Sequence, residues 1–211
     1  MAQIDTVIFD VGGVLAATGR HSDFTKRFPE ADAERVKAIL IGDYGADGDH
    51  PWHRLERGEI TLAENRALNK AALEAAGIEL PPPPPGGAPM IRFEPNPPVL
   101  QLVHDLKGAG LRLGVLTNNV AEFRDGWRSL LDFDTIFDDV VDSHEVGLRK
   151  PNPAIYQLAL ARLGADAGRT AFLDDVLSNV TAAESVGMLA VLVDEDPTPA
   201  VATVRGWAGL D

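Results

Sequence analysis

The sequence predicts an α/β protein: a doubly wound parallel sheet flanked by helices, with a helical unit inserted after the first strand. Two observations lead to this fold class. Short apolar runs alternate with helical patterns over most of the chain, which is typical of a parallel sheet with crossover helices. One long early stretch is helical in pattern without strands. The chain has 211 residues, 45% of them hydrophobic, which is enough for a sizeable core.

Five short apolar runs predict the strands, at residues 6–9, 113–116, 140–141, 171–173 and 189–193. All five are short and apolar, as expected of strands buried on both faces, and the first is β-branched and aromatic. Helical patterns lie between them at residues 99–107, 154–163 and 179–186, each followed by a glycine. Asn152 and Pro153 precede the second helix, and a proline at the first helical position with a glycine beyond the end is the usual asymmetry of helix termini.

Residues 16–97 are predicted to form a helical cap, and residues 1–15 and 98–211 to form the α/β core. Helical patterns cover 31–41 and 61–76, and Thr61 and Glu64 have the spacing of a capping box. Five consecutive prolines, Pro81 to Pro85, interrupt the cap before Gly86-Gly87. We interpret them as an exposed polyproline loop, with a docking site for a proline-binding domain as the alternative.

Composition narrows the classes of partner. The net charge is -13 and no cluster of Lys and Arg alternates with aromatic residues, which argues against nucleic-acid or anionic membrane partners. The absence of cysteine excludes disulfides, thiolate metal sites and cysteine nucleophiles. No apolar run approaches the ~20 residues of a membrane span. We therefore expect a soluble, cytoplasmic protein, and the sequence does not indicate its oligomeric state.

Polar side chains follow the predicted strands at the points where a doubly wound sheet forms its ligand crevice. They are Asp10, Thr117, Asn118, Lys150, Asp174 and Asp175. A carboxylate nucleophile, hydroxyl and amide donors, a lysine and a second acidic pair are the groups that magnesium-assisted phosphoryl transfer through an aspartyl-phosphate requires. A small phosphorylated substrate is the expected ligand.

Each of these residues also has a simpler interpretation. Asp10 could be a turn residue after a strand, Thr117-Asn118 could cap a helix over residues 121–130, and Lys150 could be a solvated surface lysine. Asp174-Asp175 is harder to explain structurally, because adjacent carboxylates repel each other unless a cation or hydrogen bonds engage them. A hard, oxygen-seeking ion such as Mg²⁺ is the natural cation.

The chain resembles the haloacid dehalogenase superfamily of hydrolases, in the branch that includes the phosphatase domain of soluble epoxide hydrolases. The resemblance covers nearly the full length and rests on four stretches taken in order, at residues 9–15, 116–119, 145–153 and 172–175. It implies a Rossmann-like core with a mobile helical cap.

The resemblance also implies roles for individual residues. Asp10 would be the nucleophile, Thr117 and Asn118 would hold the phosphate, and Lys150 would clamp both nucleophile and phosphate. Thr117 and Lys150 would thereby take part in catalysis as well as in substrate binding. The ligands and neighbours of Mg²⁺ would be Asp10, the main-chain carbonyl of Gly12, Asp175, Asp174 beside it, and Asn179 further out.

Gly12 departs from the family pattern. In most phosphatases of this superfamily the residue two after the nucleophile is an aspartate, whose carbonyl binds the metal and whose side chain protonates the leaving group. Glycine can supply only the carbonyl, so the general acid, typically worth ~10² to 10⁴ in rate, is unassigned. The candidates that the sequence offers are the five histidines and the acidic residues of the cap, for instance His21, Asp23, His53 and Glu56.

The function predicted from these observations is a magnesium-dependent phosphatase that hydrolyses a small phosphorylated metabolite. One alternative is a haloacid dehalogenase, which uses no metal and in its usual pattern carries an aromatic residue at position 12 and serines at 174 and 175. The other is a catalytically silent binding module, which Gly12 and the proline run favour. The retained Asp10, Lys150 and Asp175 argue against it.

Overall fold

The computed structural model describes residues 3–18, 28, 33–81 and 92–210. Two candidate acids, His21 and Asp23, lie outside the described residues, as do positions 82–85 of the proline run. The strands are β1 (Thr6–Phe9), β2 (Arg112–Thr117), β3 (Asp139–Asp142), β4 (Thr170–Asp174) and β5 (Leu189–Leu192). They form one sheet in the order β3-β2-β1-β4-β5, and every neighbouring pair is parallel. The predicted α/β class is confirmed.

The described part of the chain forms ten α-helices. They are α1 (Ala33–Leu40), α2 (Pro51–Glu56), α3 (Leu62–Ala75), α4 (Pro97–Gly108), α5 (Arg124–Arg128), α6 (Phe133–Ile136), α7 (Ser143–Val146), α8 (Pro153–Leu163), α9 (Leu177–Ser185) and α10 (Thr198–Ala208). Short 3-10 turns cover Ala121–Phe123 and Ala167–Arg169. None of these helices is long and apolar enough to cross a membrane.

The order of the strands places β1 at the centre of the sheet. The chain adds β2 and β3 on one side of β1 and then crosses over to add β4 and β5 on the other. Phe9 of β1 is in register with Val115 of β2 and Leu173 of β4. The strand order therefore reverses between β1 and β4, and a crevice at the carboxyl ends of these strands is where ligands bind in open α/β sheets.

Both faces of the sheet are covered, which explains why the strands read as continuous apolar runs. Val7 and Phe9 belong to a cluster that contains residues of α4 and α10, whereas Ile8 belongs to a second cluster with residues of α8 and α9. All three side chains are fully buried. Successive residues of β1 thus point into opposite layers of the core.

Helices α1, α2 and α3 form a helical insert, residues 33–81, between β1 and α4. The predicted capping box is present at the start of α3, where the Thr61 hydroxyl accepts from Glu64 N and Thr61 N donates to the Glu64 carboxylate. The insert packs on the core through an apolar cluster in which Trp52, Leu55 and Leu62 lie with Val120, three residues after the end of β2. Leu62 N also donates to Glu122 Oε1 at 2.9 Å.

Several elements differ from the sequence prediction, and the four-residue helices α6 and α7 are among those it missed. Helices α2 and α10 were not predicted, and the expected helix at 121–130 is a 3-10 turn followed by the five-residue α5. Val120, without a side-chain cap, precedes that turn, so Thr117-Asn118 is not a helix cap. The six residues of α2 are too few to show a helical period, and the helix is instead fixed by Pro51 and by the His50 ring, which accepts from Trp52 N.

Candidate active site

The polar residues that the sequence predicts for the site meet at the carboxyl edge of the sheet. Asp10 follows β1 and Asp174 ends β4, and these two strands are hydrogen-bonded neighbours. Thr117 ends β2 on the other side of β1. Lys150 lies in the loop before α8, and its side chain extends to this edge of the sheet, where it contacts Asp10. The register of the strands therefore brings the candidate residues together.

Lys150 is fully buried, and its ammonium group is the centre of the cluster. Its Nζ lies 2.9 Å from Asp10 Oδ1 and 2.6 Å from Asp174 Oδ2, and it donates to the Leu116 carbonyl at 3.0 Å. The three donors of the ammonium are thus matched by three acceptors. A solvated surface lysine, which was the simpler interpretation of this residue, is wrong.

Asp174 is held by a set of donors besides Lys150. Its Oδ1 accepts from Val176 N at 2.8 Å, and Asn179 Nδ2 lies 3.1 and 3.2 Å from the two carboxylate oxygens. These hydrogen bonds and the lysine relieve the repulsion that two adjacent carboxylates would otherwise impose. They also fix the orientation of Asp174 at the base of the site.

The electrostatics of the cluster favour an ionised Asp10 at neutral pH. Burial raises the pKa of Asp10 to about 6, while the Lys150 charge acts in the opposite direction and limits the rise. Burial by itself lowers the pKa of Lys150, but Asp10 and Asp174 outweigh it, so this pKa lies above its ordinary value. The lysine is therefore a fixed cation, and the carboxylate beside it is available as an anion.

Three carboxylates form a group that fits a divalent metal ion. Asp10, Asp174 and Asp175 each offer an oxygen, and these oxygens lie within 4.8 Å of one another. Carboxylate oxygens are the ligands that Mg²⁺ prefers, usually one or two of them together with water and substrate. Both oxygens of Asp174 already accept hydrogen bonds, from Lys150, Asn179 and Val176 N, which weakens the case for Asp174 as a ligand.

The glycine pair after Asp10 lets this loop approach Asp175 closely. Gly13 has φ of 71°, and a Cβ at this position would lie only 2.5 Å from Asp175 Oδ2. Within residues 3–18, Gly12 is not among the glycines with positive φ. The backbone therefore requires glycine at position 13 but not at position 12.

Asn118 binds both the main-chain N–H and the main-chain carbonyl of Lys150. Its Oδ1 accepts from Lys150 N at 2.8 Å, and its Nδ2 donates to Lys150 O at 2.9 Å and to the Tyr44 hydroxyl at 3.0 Å. Both amide hydrogens are thereby used. A contribution of Asn118 to a phosphate site would come from its main-chain N–H, as the sequence prediction allowed, and the hydroxyl would come from the buried Thr117.

A buried ion pair joins the helical insert to the core. Arg149 Nε donates to Glu56 Oε2 at 2.8 Å, and both side chains are at most 2% exposed. Glu56 Oε1 accepts from Trp52 Nε1 at 2.8 Å and from the Tyr44 hydroxyl at 3.1 Å. Glu56 was a candidate general acid. Burial raises the pKa of Glu56, and the Arg149 charge and the hydrogen bonds from Arg149, Tyr44 and Trp52 oppose the rise. Because these three groups all donate to its oxygens, the carboxylate is used in the ion pair and is poorly suited to give a proton to a leaving group.

His53, another candidate acid in the insert, is also poorly suited to proton donation. Burial, and then the charge of Arg149, lowers the pKa of His53 to about 4, so the ring is neutral at pH 7. Its Nδ1 accepts from Gly48 N at 3.1 Å, which leaves the proton on Nε2. The sequence alone could not distinguish this buried, neutral ring from an active-site imidazole.

An open cleft of about 390 Å³ lies between the insert and the core, next to this site. Its lining comes from α1, the loop after α1 and the segment after Asp175, and includes Lys37, Asp43, Tyr44, Val176 and Leu177. Leu177 is 65% exposed, the highest value among the large hydrophobic residues described. The cleft thus combines charged groups with an apolar rim.

Comparison with known proteins agrees with this geometry. A family model described as haloacid dehalogenase-like hydrolase matches residues 4–187. The chain belongs to this family of hydrolases. Its members include relatives named as phosphatases: the chain is 32% identical to glyceraldehyde 3-phosphate phosphatase of Methanopyrus kandleri, over 90% of this chain and 84% of that protein.

Two further likenesses support the family and the fold. The chain is 31% identical to mouse bifunctional epoxide hydrolase 2 over 88% of its own length and 35% of that protein. A structure of a predicted HAD-like family hydrolase from Porphyromonas gingivalis matches with a TM-score of 0.65 at 25% identity, covering 96% of this chain and 98% of the other. The chain spans about half or less of the length of several curated relatives.

The buried ion pair between insert and core yields a stability prediction. Glu56→Gln should lower the free energy of unfolding by about 3–5 kcal/mol, because it leaves the Arg149 guanidinium buried without a counter-charge. Urea denaturation measures the change. Glu56→Gln combined with Arg149→Met should recover most of it, since no uncompensated charge remains.

A matched control is available on the surface. Glu74 pairs with Lys70 across one turn of α3 at 3.8 Å, and both side chains are more than 60% exposed. Glu74→Gln should cost no more than about 0.5 kcal/mol. Equal losses for Glu56→Gln and Glu74→Gln would show that the buried pair does not hold the insert.

Proposed function

We propose that the protein is a magnesium-dependent phosphatase that acts on a small phosphorylated molecule through an aspartyl-phosphate on Asp10. The single observation that carries the proposal is the buried Lys150 ammonium between Asp10 and Asp174, with Asp175 beside them. This arrangement holds a carboxylate nucleophile, a fixed positive charge and an acidic metal site at one edge of the sheet. Relatives named as phosphatases are consistent with it.

In this proposal residues 16–97 act as the cap domain, and the leaving group of the substrate occupies the cleft between cap and core. The cleft lies on the cap side of the site, because Tyr44 both lines it and bonds to Asn118. Composition of the cleft favours a substrate that has both polar and apolar parts.

The reaction would proceed in two displacements at phosphorus. In the first, a carboxylate oxygen of Asp10 forms a bond to phosphorus as the bond to the leaving oxygen breaks. In the second, a water oxygen forms a bond to phosphorus as the bond between phosphorus and the Asp10 oxygen breaks, which releases inorganic phosphate and restores the Asp10 carboxylate. The proton that the water loses passes to solvent, and solvent supplies the proton that the leaving oxygen gains. Lys150 and the N–H and hydroxyl donors at Thr117-Asn118 balance the phosphoryl charge throughout.

Asp10, Asp175 and the Gly12 carbonyl would hold Mg²⁺, with Asp174 positioning Lys150 next to it. When bound, the ion would neutralise charge on the phosphoryl oxygens and orient them for in-line attack. The acidic residues at 174 and 175 disfavour the dehalogenase alternative, whose usual pattern has serines there. Hydrolysis of p-nitrophenyl phosphate that requires Mg²⁺ would exclude both the dehalogenase and the silent module, whereas no hydrolysis with the metal present would reject the phosphatase.

The nucleophile is tested by Asp10→Asn. The isosteric amide preserves the shape of the site but cannot act as an anionic nucleophile, so turnover of p-nitrophenyl phosphate should fall by about 10³-fold or more. Circular dichroism of the variant should match that of the wild type. Activity of the folded variant near the wild-type level would remove Asp10 from the mechanism.

The metal site is tested by Asp175→Ala, with Mg²⁺ binding measured by titration calorimetry and turnover measured in parallel. Both should weaken together, because a dication that keeps several waters has few protein carboxylates to lose. Glu184→Ala is the control, since it removes one exposed carboxylate from α9, away from the cluster. Normal Mg²⁺ binding by Asp175→Ala would assign the ligand to another residue.

Gly12 predicts a strong dependence of rate on the leaving group. Without a carboxylic acid at position 12, the leaving group departs largely unprotonated, so aryl, acyl or anomeric phosphates should react faster than simple alkyl esters. Gly12→Asp should raise the rate on alkyl esters by up to ~10²-fold and the rate on aryl esters much less. The φ at position 12 is not positive, so the substitution does not force an aspartate into the left-handed region.

Steady-state rates for a series of phosphate esters, plotted against the pKa of the leaving group, measure this effect. The slope should be steep for the wild type and shallower for Gly12→Asp. A shallow slope in the wild type, with no gain on alkyl esters in the folded variant, would show that another residue already supplies the proton.

A further inference from the structure

Tyr44 occupies a position that neither the sequence nor the proposed chemistry assigns. It lies in the loop after α1, and its hydroxyl makes two hydrogen bonds in opposite senses. It donates to Glu56 Oε1 at 3.1 Å and accepts from Asn118 Nδ2 at 3.0 Å. A carboxylate can only accept and an amide N–H₂ can only donate, so a hydroxyl is the group that joins them.

The directions of these bonds follow from the groups around them. Asn118 Oδ1 accepts from Lys150 N and its Nδ2 donates to Lys150 O, and this pair of bonds fixes which end of the amide is which. The second hydrogen of Nδ2 therefore points to Tyr44. Glu56 stays an acceptor because Arg149 donates to its other oxygen at 2.8 Å.

The ring of Tyr44 is fixed as well as its hydroxyl. The guanidinium carbon of Arg149 lies 4.7 Å from the centre of the ring, a cation–π contact at a buried site. Arg149 also donates to the carbonyl of Ala46, two residues after Tyr44. The loop that carries Tyr44 is thereby attached to the core residue that directly precedes Lys150.

A continuous path of contacts thus runs from the insert to the nucleophile. It passes from Glu56 to the Tyr44 hydroxyl, through the Asn118 amide to the main chain of Lys150, and along that side chain to Asp10. Lys150 can match three acceptors only if its main chain is held at the correct distance from the β-sheet edge.

We propose that Tyr44 is a positioning residue: its hydroxyl holds the Asn118 amide, which in turn fixes the main chain of Lys150, so that the active site is fully ordered only when the insert is docked. The consequence for the reaction rests on the proposed phosphatase function. The consequence for the order of Lys150 does not, because it follows from the hydrogen bonds alone.

Tyr44→Phe tests the proposal, because it keeps the ring against Arg149 and deletes only the hydroxyl. Thr170→Val is the matched control. Thr170 is fully buried at the amino end of β4, and its hydroxyl donates to Asp166 O at 2.8 Å. This variant also loses one buried hydroxyl hydrogen bond, but at the edge of the sheet opposite to the site.

The first measurement is amide hydrogen exchange of Lys150 N–H, followed by NMR in the full chain without substrate. Tyr44→Phe should accelerate this exchange by about tenfold or more relative to the wild type, while Thr170→Val leaves it unchanged. Unchanged exchange of the Lys150 amide in Tyr44→Phe would overturn the proposal. So would equal acceleration of amides throughout the sheet, since that indicates a general loss of stability.

The second measurement is turnover of p-nitrophenyl phosphate with Mg²⁺. In Tyr44→Phe kcat should fall by about tenfold with little change in KM, because Lys150 is misplaced for the reaction while the substrate still binds. A kcat within twofold of the wild type, with Lys150 exchange accelerated, would overturn the role in catalysis. If the wild type itself shows no turnover, the phosphatase proposal fails, and the exchange result alone decides whether Tyr44 orders Lys150.

Discussion

The structure of the site depends on a lysine ammonium that is buried between two carboxylates. Burying one unpaired charge would cost several kcal/mol, so each of Lys150, Asp10 and Asp174 can be buried here only because the opposite charge is buried beside it. The parallel register of β1 and β4 brings the carboxylates side by side, and the lysine neutralises the repulsion that results. The same contacts that allow the cluster to be buried also give it a fixed geometry, which is what a phosphoryl-transfer site requires.

The core and its polar cluster were predictable from the sequence because local signals and the sheet topology agree. Each strand is a short apolar run, each long helix has a proline or capping residue at its start or a glycine after its end, and the polar residues come directly after the strands. Parallel strands then force those residues to one edge, whatever the precise packing. Asp10 and Asp174 could therefore be placed together without any knowledge of side-chain contacts.

The helical insert was less predictable for physical reasons. Its contacts with the core come from residues whose roles depend on three-dimensional proximity: Tyr44 lies in a loop, and Glu56 pairs with a residue 93 positions away in the sequence. The short helix α2 has too few residues for a hydrophobic period. The position of Arg149 next to Lys150 was the one feature of the sequence that could have drawn attention to it. A sequence pattern does not show, however, that two consecutive cations pair with different carboxylates.

Arg149 and Lys150 are adjacent in sequence but pair with different carboxylates, and this links the insert to the core. One cation is matched to a carboxylate of the insert and the next to the carboxylates of the core, so the loop between α7 and α8 is held from both sides. Hydrogen bonds through Tyr44 and Asn118 connect these ion pairs, since Tyr44 contacts Glu56 and Asn118 contacts the main chain of Lys150. His53 and Glu56 are both poorly suited to donate a proton, and in our proposal the insert contributes to the site by ordering Lys150. Catalysis would then rest on charge and position, which suits a leaving group that needs little protonation.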